Sequence, residues 1–252
     1  MKWFKIISIV FTWLAVGAVT WLSVGFSMDQ RENGLCTGLT ISIHQPDNQI
    51  LLLTEDLNVI LDNLRPRWDS VPMKEINIQL LEDQLRTHPL ALDVSVFSTW
   101  KGELHIDMTQ NVAFARVQQG NSGHYIDQDG RKFPLSSHAS LDLPLISGRT
   151  DSASCLSAIA LIDQAASHPA FPGGLAQVNI ASDGSLQVMP QWHGHVIQWG
   201  QSDNFHNKAH KAQALYAYLL QQGQMDSLNR VDLGTVIKSF TPSIHPLHHD
   251  AR

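Results

Sequence analysis

From Ile6 to Phe26 the chain carries no charged side chain, and no other feature constrains its architecture as tightly. Wound as a helix rising about 1.5 Å per residue, that stretch reaches about 31 Å, enough to cross a bilayer's hydrocarbon core. Lys2 and Lys5 precede the run, whereas Asp29, Arg31 and Glu32 follow it. The positive-inside rule therefore puts residues 1–5 in the cytoplasm and the bulk of the chain on the far side of the membrane. Trp3, Trp21 and Phe26 lie near the two ends, where an interfacial aromatic belt forms. A cleaved secretory signal also starts basic and turns apolar, but its core is shorter and it ends in a small-x-small site that SVGFSM does not match. The sequence thus predicts one uncleaved transmembrane helix over residues 6–28, with everything after it exported.

The exported part is long enough for two small domains. A formal net charge of −6 gives no electrostatic reason to expect a nucleic-acid partner. Cys36 and Cys155 fall on the side where a disulfide is chemically permitted. Spacing alone leaves both a bridge and two buried thiols open.

Gly38 to His44 (GLTISIH) alternates as a strand, and TEDLNVILDNL from Thr54 follows as an amphipathic helix with Thr54 as its N-cap and Leu57, Ile60, Leu61 and Leu64 on one face. Ile78 to Thr87 puts Leu80, Leu81 and Leu85 on one face of a second helix, which His88 and Pro89 stop. Ala91 to Ser98 and Glu103 to Thr109 then alternate with Leu92, Val94, Val96 and Leu104, Ile106, Met108 inward. Joined by Thr99, Trp100, Lys101 and Gly102, they read as a β-hairpin. Strand, helix, helix, strand, strand describes a small α+β domain over residues 29–109, with helices on one face of a three-stranded sheet.

Residues 110–241 read as a second, mainly antiparallel β-domain. Short strands are expected at Ala113 to Gln118, His124 to Asp127, Arg131 to Phe133, Gln177 to Ile180, Leu186 to Met189, Val196 to Trp199 and Val231 to Ser239. Asp129-Gly130 and Asp183-Gly184 mark turns, and helices are expected at Ser154 to Ala166 and Asn204 to Gln222. Residues 242–252 form a polar, His-rich tail with the composition of a disordered end.

With the order of elements established, the string LEDQLRTHPLALDVSVFSTWKGELHIDMTQNVAFARV and the later YIDQDGRKFPLS resemble the exported region of the bacterial cell-division family FtsQ/DivIB. HVIQWGQSDNFHNKAHKAQALYAYLLQQG is similar to its Bacteroidetes-like members, in which a strand ending in Gly leads to a Lys-rich helix. The family often carries an Arg and a Pro where this chain has Asn111 and Ala113. The resemblance implies a POTRA domain followed by a β-domain, held to the cell inner membrane by a single pass with the bulk in the periplasm. It implies a divisome component without enzymatic activity, one that positions other proteins at the septum, among them the small coiled-coil partners FtsB and FtsL. The alternatives are a POTRA adaptor for envelope assembly or export and a periplasmic hydrolase with an unrecognised site.

Motifs for chemistry are sparse, and no catalytic, cofactor-binding or metal-binding residue is assigned. Asp127 and Asp129 look like half a calcium loop but lack its downstream glutamate, so a β-turn is the simpler reading. His193 with His195, and His245 with His248 and His249, lack the carboxylate or further ligand that a metal site needs. No nucleophile elbow, phosphate loop or zinc-protease motif occurs. Tyr216, Tyr218, Leu219 and Leu220 could form an interaction stripe or pack in a core. The site expected to act is the last strand, with Val231, Asp232, Leu233, Thr235, Val236, Ile237 and Lys238 offering an open sheet edge to a partner's strand.

Overall fold

A computed structural model of the chain describes residues 12–21, 34–64, 68 and 70–234. Residues 12–21 are helical, and the rest of the apolar run lies outside the described residues, as does the tail from residue 235. Among the described residues, no helix is long and apolar enough to cross a membrane. The chain divides into two compact units, Met1–Gln110 and Asn111–Arg252.

In the first unit, β1 (Gly38–His44) is followed by α1 (Thr54–Leu64), α2 (Ile78–Arg86), β2 (Ala91–Ser98) and β3 (Glu103–Gln110). The sheet order is β1-β3-β2, with β1 parallel and β2 antiparallel to β3. Two helices between β1 and β2 let the chain return for the parallel pairing, which a tight turn cannot do. Leu104, Ile106 and Met108 are fully buried on β3, as are Leu57 on α1 and Leu85 on α2. Each such side chain removed from water contributes about 1.5–3 kcal/mol.

Helix α1 begins with Thr54 as a helical residue, and its reaching group is Asp56, whose carboxylate accepts from the Leu53 N–H at 3.0 Å. Asn77 caps α2 by accepting from the Leu80 N–H at 3.0 Å. Leu80 itself is exposed, because Leu81 and Leu85 complete the inner stripe and it lies beside them. Leu92 is also exposed, not inward: the register slips between Ala91 and Asp93, and only Val94 and Val96 keep the inner face. Where β3 ends, the Gln110 amide is fully buried, accepts from the Leu51 and Leu52 N–H groups at 3.2 Å each and donates to the Gln49 carbonyl. That one side chain satisfies three backbone groups of the loop entering α1.

The second unit holds β4 (Ala115–Gln119), β5 (Ser122–Ile126), β6 (Lys132–Pro134), β7 (Leu145–Gly148), α3 (Ser152–Ala166), β8 (Leu175–Ile180), β9 (Leu186–Pro190), β10 (Val196–Gly200), α4 (Phe205–Gln222) and β11 (Arg230–Asp232). They form one eight-stranded sheet in the order β11-β10-β9-β8-β7-β4-β5-β6. This sheet is mixed: four of its seven strand pairings are antiparallel, and three are parallel. Helix α3 crosses over between adjacent β7 and β8, and α4 between adjacent β10 and β11, so both pairs run parallel, as does β4 with β7. The apolar faces of both helices join Val117, Ile146, Val178, Val188, Ile197 and Trp199 in one core.

Asp151 caps α3 by accepting from the Ser154 N–H at 3.2 Å and the Ser154 hydroxyl at 2.7 Å. These bonds, with Arg149 beside them, hold its carboxyl down at about 2. In the DQDG turn the Asp127 carboxylate accepts from the N–H groups of Asp129 and Arg131, an Asx-type turn. Cys36 and Cys155 are buried free thiols, and burial pushes the Cys155 thiol up.

Candidate partner-binding edge

Of the strand expected from Val231 to Ser239, β11 covers Arg230–Asp232; Thr235, Val236, Ile237 and Lys238 lie outside the described residues. Val231 and Leu233 are buried in the helix-side core, and Arg230 and Asp232 are exposed. The ladder to β10 pairs Val196 with Arg230, Ile197 with Val231 and Gln198 with Asp232. Its flanks are the bonds from Val196 N–H to the Asn229 carbonyl at 3.0 Å and from Leu233 N–H to the Gln198 carbonyl at 2.8 Å. Because the N–H and C=O of one strand residue point to the same side, positions 229, 231 and 233 face β10. The backbone groups of Arg230 and Asp232 therefore face away from the sheet.

Two other edges are blunted. At the far end of the same sheet β6 is three residues long and ends in Pro134, which has no N–H to offer. In the first unit, α2 side chains cover the outer edge of β2: Arg86 donates to the Val94 carbonyl at 3.0 Å and the Val96 N–H donates to Glu82 at 3.2 Å. The β11 strand is as short as β6 among the described residues, but it carries no proline, and no helix side chain bonds to its outer backbone there.

The turn beyond β10 fixes where this edge ends. Gly200 has φ 74°, and a Cβ there would sit 2.8 Å from Gly234 Cα, so only glycine lets the two backbones approach this closely. Lys208, buried on α4, donates to the Gln201 carbonyl at 2.7 Å and to Asp203 at 3.0 Å, and lies over the Trp199 ring. This pairing holds the Asp203 carboxyl below the usual carboxylate range. The Gly that ends β10 thus sets it against the chain just past β11, and a Lys of the following helix closes the turn between β10 and α4.

On the face away from the helices, Ser147, Asn179, Gln187, Gln198 and Asp232 stand in register across β7, β8, β9, β10 and β11. The Ser147 hydroxyl donates to Asn179 at 3.1 Å and accepts from Gln177 at 3.2 Å. The depression on this face, about 70 Å³, is far below the several hundred Å³ of an ordinary ligand pocket. A polar row ending at an open strand suits main-chain pairing better than small-molecule binding.

The other residues singled out in the sequence have separate fates. Tyr216 and Leu219 are in the core, whereas Tyr218 and Leu220 are exposed on α4, so no continuous stripe forms. His195 is fully buried with its Nε2 2.7 Å from the Tyr216 hydroxyl, and burial, helped by neighbouring His193, pushes it down to about 4. The same burial pushes the Tyr216 phenol up. His193 stands 3.7 Å from Asp226. His245, His248 and His249 lie outside the described residues. Among the described residues, no three His, Cys, Asp or Glu side chains converge as a metal set.

Sequence comparison agrees with this two-unit organisation. Residues 34–109 match the family model of the POTRA-like domain, and residues 113–235 match that described as FtsQ/DivIB, C-terminal related. No curated protein matches the chain. The chain thus joins a POTRA-like domain to a domain related to the C-terminal region of FtsQ/DivIB, and both matches support a place in that family of non-enzymatic cell-division proteins.

Proposed function

We propose that this protein is a single-pass component of the bacterial inner membrane that binds and positions other division proteins from its periplasmic side, with the β11 edge as the docking strand. The observation that carries the reading is the outward-facing backbone of Arg230 and Asp232, left uncovered where two other edges are blunted. A partner strand added there satisfies those groups and continues the polar row beyond Asp232 on one face. On the other face it sets an apolar side chain beside Val231 and Leu233. The small coiled-coil division proteins FtsB and FtsL are the proposed occupants, with Thr235, Val236, Ile237 and Lys238 extending the contact. The charge-free run over residues 6–28 supports the anchor, and the basic residues before it support a cytoplasmic N-terminus.

The test uses the full-length chain in detergent, with tagged FtsB and FtsL as prey. Asp232→Pro removes an N–H that faces away from β10, so the domain keeps its ladder while the edge loses a donor. Capture is expected to fall at least about tenfold, equivalent to about 1.4 kcal/mol, while Asp232→Asn captures normally and both variants melt like the parent. Undiminished capture by a folded Asp232→Pro protein would remove this edge as the docking strand.

A further inference from the structure

The β2–β3 hairpin tip is the least expected surface of the first unit. Trp100 is 77% exposed, the most exposed large apolar side chain among the described residues after position 34. Beside it Leu35 is 53% exposed, and a cavity of about 360 Å³ opens between Leu35, Met73, Thr99, Trp100 and Lys101. Lys101 folds its ammonium over the Trp100 ring at 5.3 Å. A bare tryptophan at a turn costs solubility and contributes nothing to this unit's core, so its exposure calls for an occupant.

The position of the tip relative to the chain's entry identifies that occupant. The Thr37 N–H donates to the Gly102 carbonyl at 2.9 Å, the Thr37 hydroxyl donates to the Lys101 carbonyl at 3.3 Å, and the Met73 N–H donates to the Gly34 carbonyl at 2.8 Å. The hairpin turn is therefore fastened to residues 34–37, where the chain arrives from its apolar run. From Phe26 to Gly34 the chain can span no more than about 28 Å even when fully extended. A turn fastened to that entry point is held close to whatever surface the run is anchored in.

We propose that Trp100, Lys101 and Leu35 form a bilayer-contact tip that seats the POTRA-like unit on the periplasmic face of the membrane. This rests on the reading of residues 6–28 as the anchor. Tryptophan suits that depth because its ring is apolar with one polar edge, and lysine keeps its ammonium among headgroups while its stem follows the apolar surface. Seating the tip removes swivelling of the unit about its tether and fixes the side it turns toward division partners.

A spin label at Thr99→Cys in the full chain tests this, because Cys36 and Cys155 are buried and leave the new thiol as the reactive one. The chain is reconstituted into vesicles of phosphatidylethanolamine and phosphatidylglycerol, and the label's access to lipid-soluble oxygen is compared with its access to an aqueous nickel chelate. The oxygen-to-nickel ratio is expected to fall at least about twofold when Trp100→Ser and Lys101→Ser are added, with the chain still floating with vesicles after an alkaline wash. An aqueous-like ratio in the parent, with flotation intact, overturns the tip while leaving the anchor. Protection from both reagents also overturns it, by indicating a protein contact. Loss of flotation refutes the anchor itself, and this inference with it.

Discussion

Replacing Gly148 by alanine is expected to destabilise the second domain by about 4 kcal/mol or more, because it has the tightest Cβ contact of the described glycines. Gly148 has φ 88°, and a Cβ built on it would lie 2.0 Å from the Ile180 carbonyl oxygen and 2.9 Å from the carbonyl carbon. The left-handed backbone alone costs an alanine about 1 kcal/mol, so the collision is the larger cause. It cannot be relieved cheaply, because the obstacle is backbone and not a flexible side chain. Ile180 pairs with Gly148 in the β7–β8 ladder, and its carbonyl also accepts from the Arg149 N–H at 2.8 Å. Moving it breaks that bond at the centre of the sheet and shifts Asp151, the cap of α3, three residues on. Denaturant unfolding followed by tryptophan fluorescence measures the effect. An alanine variant within about 1 kcal/mol of the parent would show that β7 and β8 separate more easily than this geometry allows.

That glycine ends the one strand among the described residues that the sequence did not disclose. LISG offers four residues after a proline, too short to display alternation, and a strand buried between β4 and β8 needs none. Missing β7 also concealed the parallel character of the sheet, since α3 then had no strand before it to make a crossover. Elements with a sustained period were legible: α1, the β2–β3 hairpin and α4 all follow from where apolar residues recur. Leu80 and Leu92 show the limit of that reading. Each is apolar and near the right phase, but a helix stripe already completed by Leu81 and Leu85 excludes the first, and a one-residue slip turns the second outward.

The candidate edge was half legible. Alternation along VDLGTV marks Val231 and Leu233 as inward, yet which strand ends a sheet depends on pairings between distant segments that no local pattern contains. The structure also redistributes roles among the predicted residues. Val231 and Leu233 anchor the strand to the core, and Arg230, which lay just outside the expected segment, joins Asp232 on the outward backbone. The signal for Arg230 was available in the strand's period of two. The role of Gly200 was visible only as a resemblance, because its close approach is to Gly234, 34 residues further along the chain.

Acidification from pH 6.5 to pH 4 is expected to lower the stability of the second domain by about 3 kcal/mol through His195 alone. Burial holds this ring neutral in the folded protein, down to about 4 against an ordinary 6.5, while the unfolded chain protonates it normally. Stability from this group is therefore complete above pH 6.5 and is lost as pH falls toward 4, each unit contributing about 1.36 kcal/mol. The groups around it do not offset the loss. Tyr216 stays protonated, and the His193 ring, its centroid 5.6 Å away, also disfavours charge on His195. His124 and His168 are also held below their ordinary value by burial and contribute slope of the same sign, so the measurement is a difference. His195→Gln keeps a polar group beside the Tyr216 hydroxyl but does not titrate, and its unfolding free energy is expected to fall less steeply with acid than the parent's. Parallel pH profiles for the two proteins would mean that His195 is protonated without cost. The location gives the titration a functional consequence: His195 directly precedes β10, the strand that holds β11, and bonds to α4, the helix that leads to β11. Partner capture by the β11 edge is therefore expected to weaken in the same pH window in the parent, and to weaken less in His195→Gln.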